Sequence, residues 1–280
     1  RLCRNQRSAA AADAGVDEVA IEQARERRYE GLDERARTAL ELGDRLRAHP
    51  GDLPGAEDPE PAPEVTALGS EAATAMVTSG DMRLVKRCVE VFLQSQSQET
   101  GWLQSMAPMA RDRGPLYDYP LIVLLIAEWY CRLFGDTTFA RRCYPVFKRM
   151  MNSALETRDT DGLFTTRFPV FIMHGYKTTR GRVCALNALS ARAFDRWASL
   201  LALLGKRSES AAARTVGRDT EALVRRRFWD SEAAAFADAL GEDNPGNRHT
   251  VPANCWPLLF CSIPKNKQTG AVAEIARRIA

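Results

Sequence analysis

The sequence predicts an all-α fold, an incomplete (α/α)6 toroid in which three to four helical hairpins form two concentric rings. Three observations predict it. Apolar residues recur in steps of three and four, the period of a helix, and no comparable run alternates as a strand would. Glycine punctuates that pattern at Gly80-Asp81, Gly135-Asp136 and Gly205-Lys206, spaced by about 55 and 70 residues. One helix of a pair is apolar all round while its partner is apolar on one face, which suits buried inner helices and half-exposed outer ones. The competing arrangement, an open α-solenoid, calls for more uniform repeats and shorter loops. Closing six hairpins at this spacing takes about 330–420 residues, more than residues 66–280 supply, and the chain stops inside a helical pattern, residues 271–280.

Two regions are expected. Residues 1–65 contain no Lys and a single aromatic, Tyr29. Residues 17–48 offer only a thin stripe, Ile21, Leu32, Ala39 and Leu46, with little apolar face. Residues 50–63 hold five prolines among acidic residues, which blocks helix and strand alike and reads as an extended linker. The whole segment is expected to pack poorly. Residues 66–280 then form the helical domain. The spacing predicts a helix near 82–97, with Leu84, Cys88, Val91 and Phe92 on one face. A second, over 118–134, is apolar on nearly every side. A third, over 138–157, aligns Phe139, Cys143, Val146, Phe147, Met150 and Ala154; a fourth, over 183–204, aligns Leu186, Leu189, Ala193, Trp197, Leu200 and Leu204. A fifth is expected near 208–228. Gly135 and Gly205 suit the left-handed position that ends a helix, and Asp81 and Asp136 suit the cap that begins the next.

Composition narrows the function. With 39 basic and 36 acidic residues interspersed, the chain shows no basic stripe for nucleic acid. The longest apolar run, residues 121–127, is far below the roughly 20 residues of a bilayer span, so no membrane partner is expected. The N-terminus carries charge with no apolar stretch behind it, unlike a secretory signal, although a removed leader stays open because the chain lacks an initiator Met. The seven cysteines are odd in number and have no zinc or redox spacing, as expected of buried free thiols in a reducing, cytoplasmic compartment. His49, His174 and His249 lack metal-ligand spacing. Asp159, Asp161 and Gly162 resemble the start of a calcium loop, but the remaining ligands are missing and a solvated turn is expected.

Residues 98–117 carry Trp102, Met106, Met109, Arg111 and Arg113. An aromatic platform with forked donors suits a sugar, which has an apolar face and a ring of hydroxyls; loop anchoring is the plainer reading. Asp118, opening the buried helix, reads either as an N-cap or as a carboxylate aimed into the mouth of the ring.

The stretches SGDMRLVKRCVEVFLQSQSQETGWLQSMAP, LYDYPLIVLLIAEWYCRLFGDTTFARRCYPVFKRMM and DTDGLF, then GRVCALNALSARAFDRWASLLALLGK, RRRFWD, AFADAL and HTVPANCWPLLFCSIP, resemble the six-hairpin catalytic domain of bacterial α-L-rhamnosidases over residues 66–280. The resemblance implies an inverting glycosidase acting on terminal α-L-rhamnosyl residues, with no cofactor and a carbohydrate, a rhamnoside, as partner. It implies substrate-site roles for Asp118, Asn187 and His249 and the position of His174, which join Trp102 and Arg113 of the 98–117 loop as candidate substrate-binding residues. Asn187 falls on the Asn of an Asn-Ala-Leu element, and His249 near a family His. The family's acid lies in an Arg-Glu-rich stretch ending Trp-x-Gly-Asp, where this chain has its proline-rich linker. A partial echo at Arg25, Glu26, Arg28 and Asp33 makes Glu26 a candidate acid, with Tyr29 and Glu30 in place of Trp and Leu32 in place of Gly. Asp118 is the other candidate catalytic group. The family's Asp-Trp after the DTDG hairpin reads Met173-His174 here, and its general base belongs to a Trp-Glu segment expected beyond Ala280. The alternative is a catalytically inactive helical module that binds carbohydrate or protein.

Overall fold

The computed structural model describes residues 82–105, 107, 116–167, 170–173 and 180–279, all within one compact unit. The segment 1–65 lies outside the described residues. Seven helices occur among those described: α1 (Arg83–Gln94), α2 (Asp118–Phe134), α3 (Thr137–Glu156), α4 (Cys184–Leu203), α5 (Arg207–Arg227), α6 (Val251–Phe260) and α7 (Lys265–Ile279). Two-residue strands β1 (Trp229–Asp230) and β2 (Ala235–Phe236) pair antiparallel between α5 and α6. Single 3-10 turns occupy Phe171–Met173 and Gly241–Asp243.

The expected asymmetry between rings is present. Helix α2 buries a run from Pro120 to Glu128, and α4 buries fourteen of its positions. Helices α3 and α5 bury one stripe each, α5 with the small residues Ser210, Ala213, Gly217 and Thr220 and then Val224. Such small residues let the outer helix come close. A Cβ on Gly217 would sit 2.9 Å from the Ala191 carbonyl oxygen of α4, and the Ser210 hydroxyl donates to the Ala198 carbonyl at 2.8 Å. Helix α4 packs between α2 and α6, so these three form the inner arc, backed by α1, α3, α5 and α7.

Connections alternate in length. Gly135, left-handed at φ 64°, ends α2, and Asp136 caps α3 by accepting the Phe139 N–H at 2.8 Å. The other Asp136 oxygen takes Lys86 Nζ of α1 at 2.7 Å. Residues 204–206 and 261–264 make equally tight turns after α4 and α6. By contrast, residues 95–117, 157–183 and 228–250 are long, and each leads into the N-terminus of an inner helix. All three inner N-termini therefore share one end of the arc with all three long connections.

Two corrections apply. On α1 the buried residues are Val85 and Val89, with Leu84 and Cys88 exposed, so the face lies one position from the expected one. Both registers satisfy the helical period, and packing against α2 selects between them. Helix α6 and the β1–β2 hairpin were not among the expected elements, whereas α7 contains the helical pattern expected from residue 271 onward. Pro252 and Pro257 break the α6 pattern, yet a proline near the start of a helix loses no intrahelical bond, and α6 ends within a turn of Pro257. A two-residue strand is too short to show alternation.

Candidate functional site

Asp118 is the first residue of α2, not its cap; Tyr117 holds the cap position and offers no side-chain bond. The Asp118 side chain is fully buried. Its Oδ2 accepts the Ile172 N–H at 2.7 Å, which pins the 157–183 connection to the start of α2. Its Oδ1 has no hydrogen-bond partner among the described residues. Burial pushes the carboxyl up to about 6, and the backbone N–H groups of Ile172, Asp118, Tyr119 and Phe171 pull it partly back. The carboxyl therefore holds a proton across mildly acidic pH, as a general acid must.

Asn187 has a different task from the one expected. Its Oδ1 accepts the Phe164 N–H at 2.8 Å, and its Nδ2 donates to the Phe164 and Val183 carbonyls at 2.9 Å each. The carboxamide is fully buried and spent on backbone. Asn254 repeats the arrangement one hairpin later: Oδ1 accepts the Phe236 N–H at 2.8 Å, and Nδ2 donates to the Phe236 carbonyl at 3.3 Å and the Thr250 carbonyl at 2.9 Å. Both asparagines are the fourth residue of an inner helix. They clamp the connection that precedes their own helix, so Asn187 presents no free polar group to a sugar.

His249 is nearly buried, and its Nε2 lies 2.9 Å from Asp230 Oδ2. Asn247 Nδ2 donates to the same oxygen at 2.9 Å, and the Glu232 and Ala233 N–H groups donate to Oδ1. These bonds, that of Asn247 foremost, hold the Asp230 carboxyl down to about 2. An ionised carboxylate only accepts, so His249 Nε2 carries a proton. Beside it, Asp238 Oδ1 accepts both the N–H and the hydroxyl of Thr250, the cap residue of α6, at 2.7 and 2.8 Å. The Asp238 carbonyl accepts the Cys184 N–H that opens α4. Asp238, absent from the sequence reading, thus joins the N-termini of α4 and α6 while its Oδ2 is buried without a partner. Gln104 Oε1, in the 95–117 connection, is in the same position.

Trp102 also departs from expectation. It is 5% exposed and packs against Tyr117 with ring centroids 4.5 Å apart, so it anchors its loop and offers no open face. Phe171, which the sequence reading passed over, is 43% exposed and meets Tyr119 edge-on at 5.3 Å. Glu26, Arg113 and His174 lie outside the described residues. Asp159 and Asp161 sit in a turn where Asp161 pairs with Arg182 and Arg227 at 3.5 and 3.3 Å. No group of three or more His, Cys, Asp or Glu that could hold a metal occurs among the described residues. Cys131, Cys143, Cys184 and Cys261 are buried free thiols, each pushed up by burial. No helix among the described residues is long and apolar enough to cross a membrane.

No protein-family model matches the chain, and no curated protein matches it. Among solved structures, the chain is similar to a GH78-family rhamnosidase of Bacillus sp. GL1, with 20% identity and a TM-score of 0.60 over 68% of this chain and 20% of that one. It is also similar to a rhamnosidase from Klebsiella oxytoca with rhamnose bound, with 17% identity and a TM-score of 0.62 over 75% of this chain and 40% of that one. The chain therefore spans only a fifth of the first and two fifths of the second. At such identities the likeness is one of fold, and the described residues carry part of the α/α toroid found in these rhamnosidases.

Proposed function

We propose that the chain is part of a glycoside hydrolase acting on terminal α-L-rhamnosyl residues with inversion, and that the long-connection end of its helical arc is the sugar-facing mouth. One observation carries this reading. The three buried side-chain oxygens without a partner among the described residues, on Gln104, Asp118 and Asp238, all lie at that end. Buried polar atoms are ordinarily satisfied, so unsatisfied ones at this end of the arc fit a place that receives hydroxyls or water. The N-termini of α2, α4 and α6 converge there with their positive dipole ends. Asp118, raised to about 6, is the carboxyl suited to donate a proton or to hold a sugar hydroxyl. Inversion needs a second carboxylate roughly 6.5–9.5 Å away to activate water, and by the resemblance that base lies in a Trp-Glu segment.

The test has two parts. The purified chain is expected to hydrolyse an aryl α-L-rhamnoside little or not at all, because a missing acid or base costs about 10²–10⁴ in rate. Rhamnose at millimolar concentration is expected to shift the amides of Tyr119, Ile172 and Thr250. Shifts confined to the tight-turn end, around Gly135 and Lys206, overturn the placement of the mouth. Robust turnover that no Asp or Glu substitution within residues 66–280 abolishes overturns the assignment of the chemistry.

A further inference from the structure

We propose that one side of the outer helix α5 is a docking surface for a linear acidic polysaccharide, held by Arg207, Arg214, Arg218 and Arg225. The choice of a carbohydrate rests on the glycoside-hydrolase reading above; the surface itself does not. These arginines are spaced by seven, four and seven residues. At about 100° per residue they fall within roughly 40° of one line along the helix, over about 27 Å. In the sequence they are scattered among acids, and they become a row only once the helix forms. Arg207, Arg214 and Arg218 are exposed and Arg225 is half-buried.

Carboxylates around the row are outnumbered. Helix α5 has six arginines against Glu209, Asp219 and Glu221. Glu209 is already held by Lys148 Nζ at 2.9 Å and Lys206 Nζ at 3.6 Å. Glu221 pairs with Arg225 at 2.6 Å and also accepts the Ser262 N–H at 2.8 Å. Asp195 of α4 is shared between Arg214 at 3.2 Å and Arg192 at 3.7 Å. Asp219 lies about 100° round the helix from Arg218. Arg207 and Arg218 have no ion pair among the described residues; Arg218 donates only to the Thr215 hydroxyl, at 3.4 Å. Helix stability does not account for the row. Arg225, Arg226 and Arg227 complement the negative end of the helix dipole, but Arg207 opens the helix, where a cation is disfavoured. Arg214 and Arg218 repel one another at i,i+4.

The rest of the surface selects the partner. Ala211, Ala212, Thr215 and Ala222 are exposed and short, and none of the large exposed apolar residues belongs to α5. A membrane surface needs apolar side chains to take up, a protein partner needs a desolvated apolar core, and single-stranded nucleic acid needs aromatic rings to stack on. A chain of sugars bearing carboxylates needs none of these. It needs forked donors at intervals, and a guanidinium meets a carboxylate with two parallel bonds.

The experiment runs the full chain through native gels containing alginate, a linear uronate polymer, with dextran as the neutral polymer and duplex DNA in solution as the competing polyanion. Circular dichroism confirms that each variant is folded. Alginate is expected to retard the wild-type chain, less so as salt rises, and dextran to leave it unaffected. The triple variant Arg207→Gln, Arg214→Gln, Arg218→Gln is expected to bind alginate about ten-fold more weakly. A charge-matched variant on α7, Lys265→Gln, Arg277→Gln, Arg278→Gln, is expected to stay within about two-fold of the wild-type chain. Equal losses in the two triple variants overturn the row, because net charge alone would then explain binding. Absence of alginate binding by the wild-type chain, or undiminished binding by the folded row variant, overturns the surface. Duplex DNA that displaces alginate at lower concentration than free alginate does overturns the choice of a carbohydrate. The mouth is read separately through the rhamnose-induced amide shifts, so a failed row leaves the hydrolase reading standing, and missing rhamnose shifts with alginate still bound count against that reading alone.

Discussion

Asn187 and Asn254 replace backbone pairing with side-chain pairing. Each carboxamide takes one N–H and one C=O from a phenylalanine in the preceding connection, and each reaches back one helical turn within its own helix. In the sequence Asn187 is visible only as a polar residue in an apolar helix, which fits a ligand contact as well as a clamp. The separating signal was its recurrence as Asn254 at the same helical position, and that position becomes comparable only once α6 is recognised. Replacing Asn187 by Ala strands the buried Phe164 N–H and carbonyl, each costing about 1–3 kcal/mol. Asn187→Ala is therefore expected to lose at least about 2 kcal/mol in urea unfolding, and a loss within about 0.5 kcal/mol, the range of neutral surface changes, contradicts the clamp. Asp118 gives a pH test at the same scale. Its folded pKa of about 6 exceeds the ordinary 3.8, so the folded state favours the protonated carboxyl. Its contribution is fully present below about pH 4 and is lost as pH rises through about 6, a swing of about 3 kcal/mol at 1.36 kcal/mol per unit. Asp118→Asn cannot titrate, so the stability of the wild-type chain relative to this variant is expected to fall between pH 4 and 6 and to level off above. A difference that stays flat over that window contradicts the raised pKa.

Among the elements, legibility followed local chemistry. Helix α2 was readable to its ends because Gly135 and Asp136 mark its stop and the next start, and both behave in the structure as glycine C-cap and aspartate N-cap should. Helices α3, α4 and α5 fall within one residue of their expected bounds for similar reasons. Face assignment was weaker where the apolar stripe is ambiguous. On α1, both Leu84-Cys88 and Val85-Val89 sit at helical spacing, and the choice depends on α2, which local pattern does not contain. Helix α6 was missed because its prolines mimic a loop. The loops that carry the candidate site were legible as long and functional in character, but their residues were not sorted. Trp102 and Phe171 are both loop aromatics, and only tertiary packing shows that the first is enclosed and the second exposed.

At the scale of the whole molecule, one rule relates fold to site: tight turns at one end of the arc, long connections at the other, and inner N-termini facing the long connections. The sequence carried that rule through the spacing of its glycines, whereas closure of the arc depends on contacts between successive inner helices. Helix α4 has inner neighbours on both sides, α2 and α6, and nearly all its apolar side chains are buried. Helix α6 has α4 on one side, and Leu259 near its C-terminal end is 53% exposed, with Val272 and Ile279 of α7 exposed as well. This gradient makes a quantitative prediction. Leu124 of α2 is fully enclosed, so Leu124→Ala is expected to cost about 2–5 kcal/mol through lost burial and the cavity left behind. Leu259→Ala removes the same atoms from a surface already in contact with water, and its cost is expected to stay within about 0.5 kcal/mol. Parallel urea titrations of the two variants measure the contrast directly. Comparable losses mean that Leu259 is as enclosed in solution as Leu124, which contradicts the gradient of burial from α2 to α6.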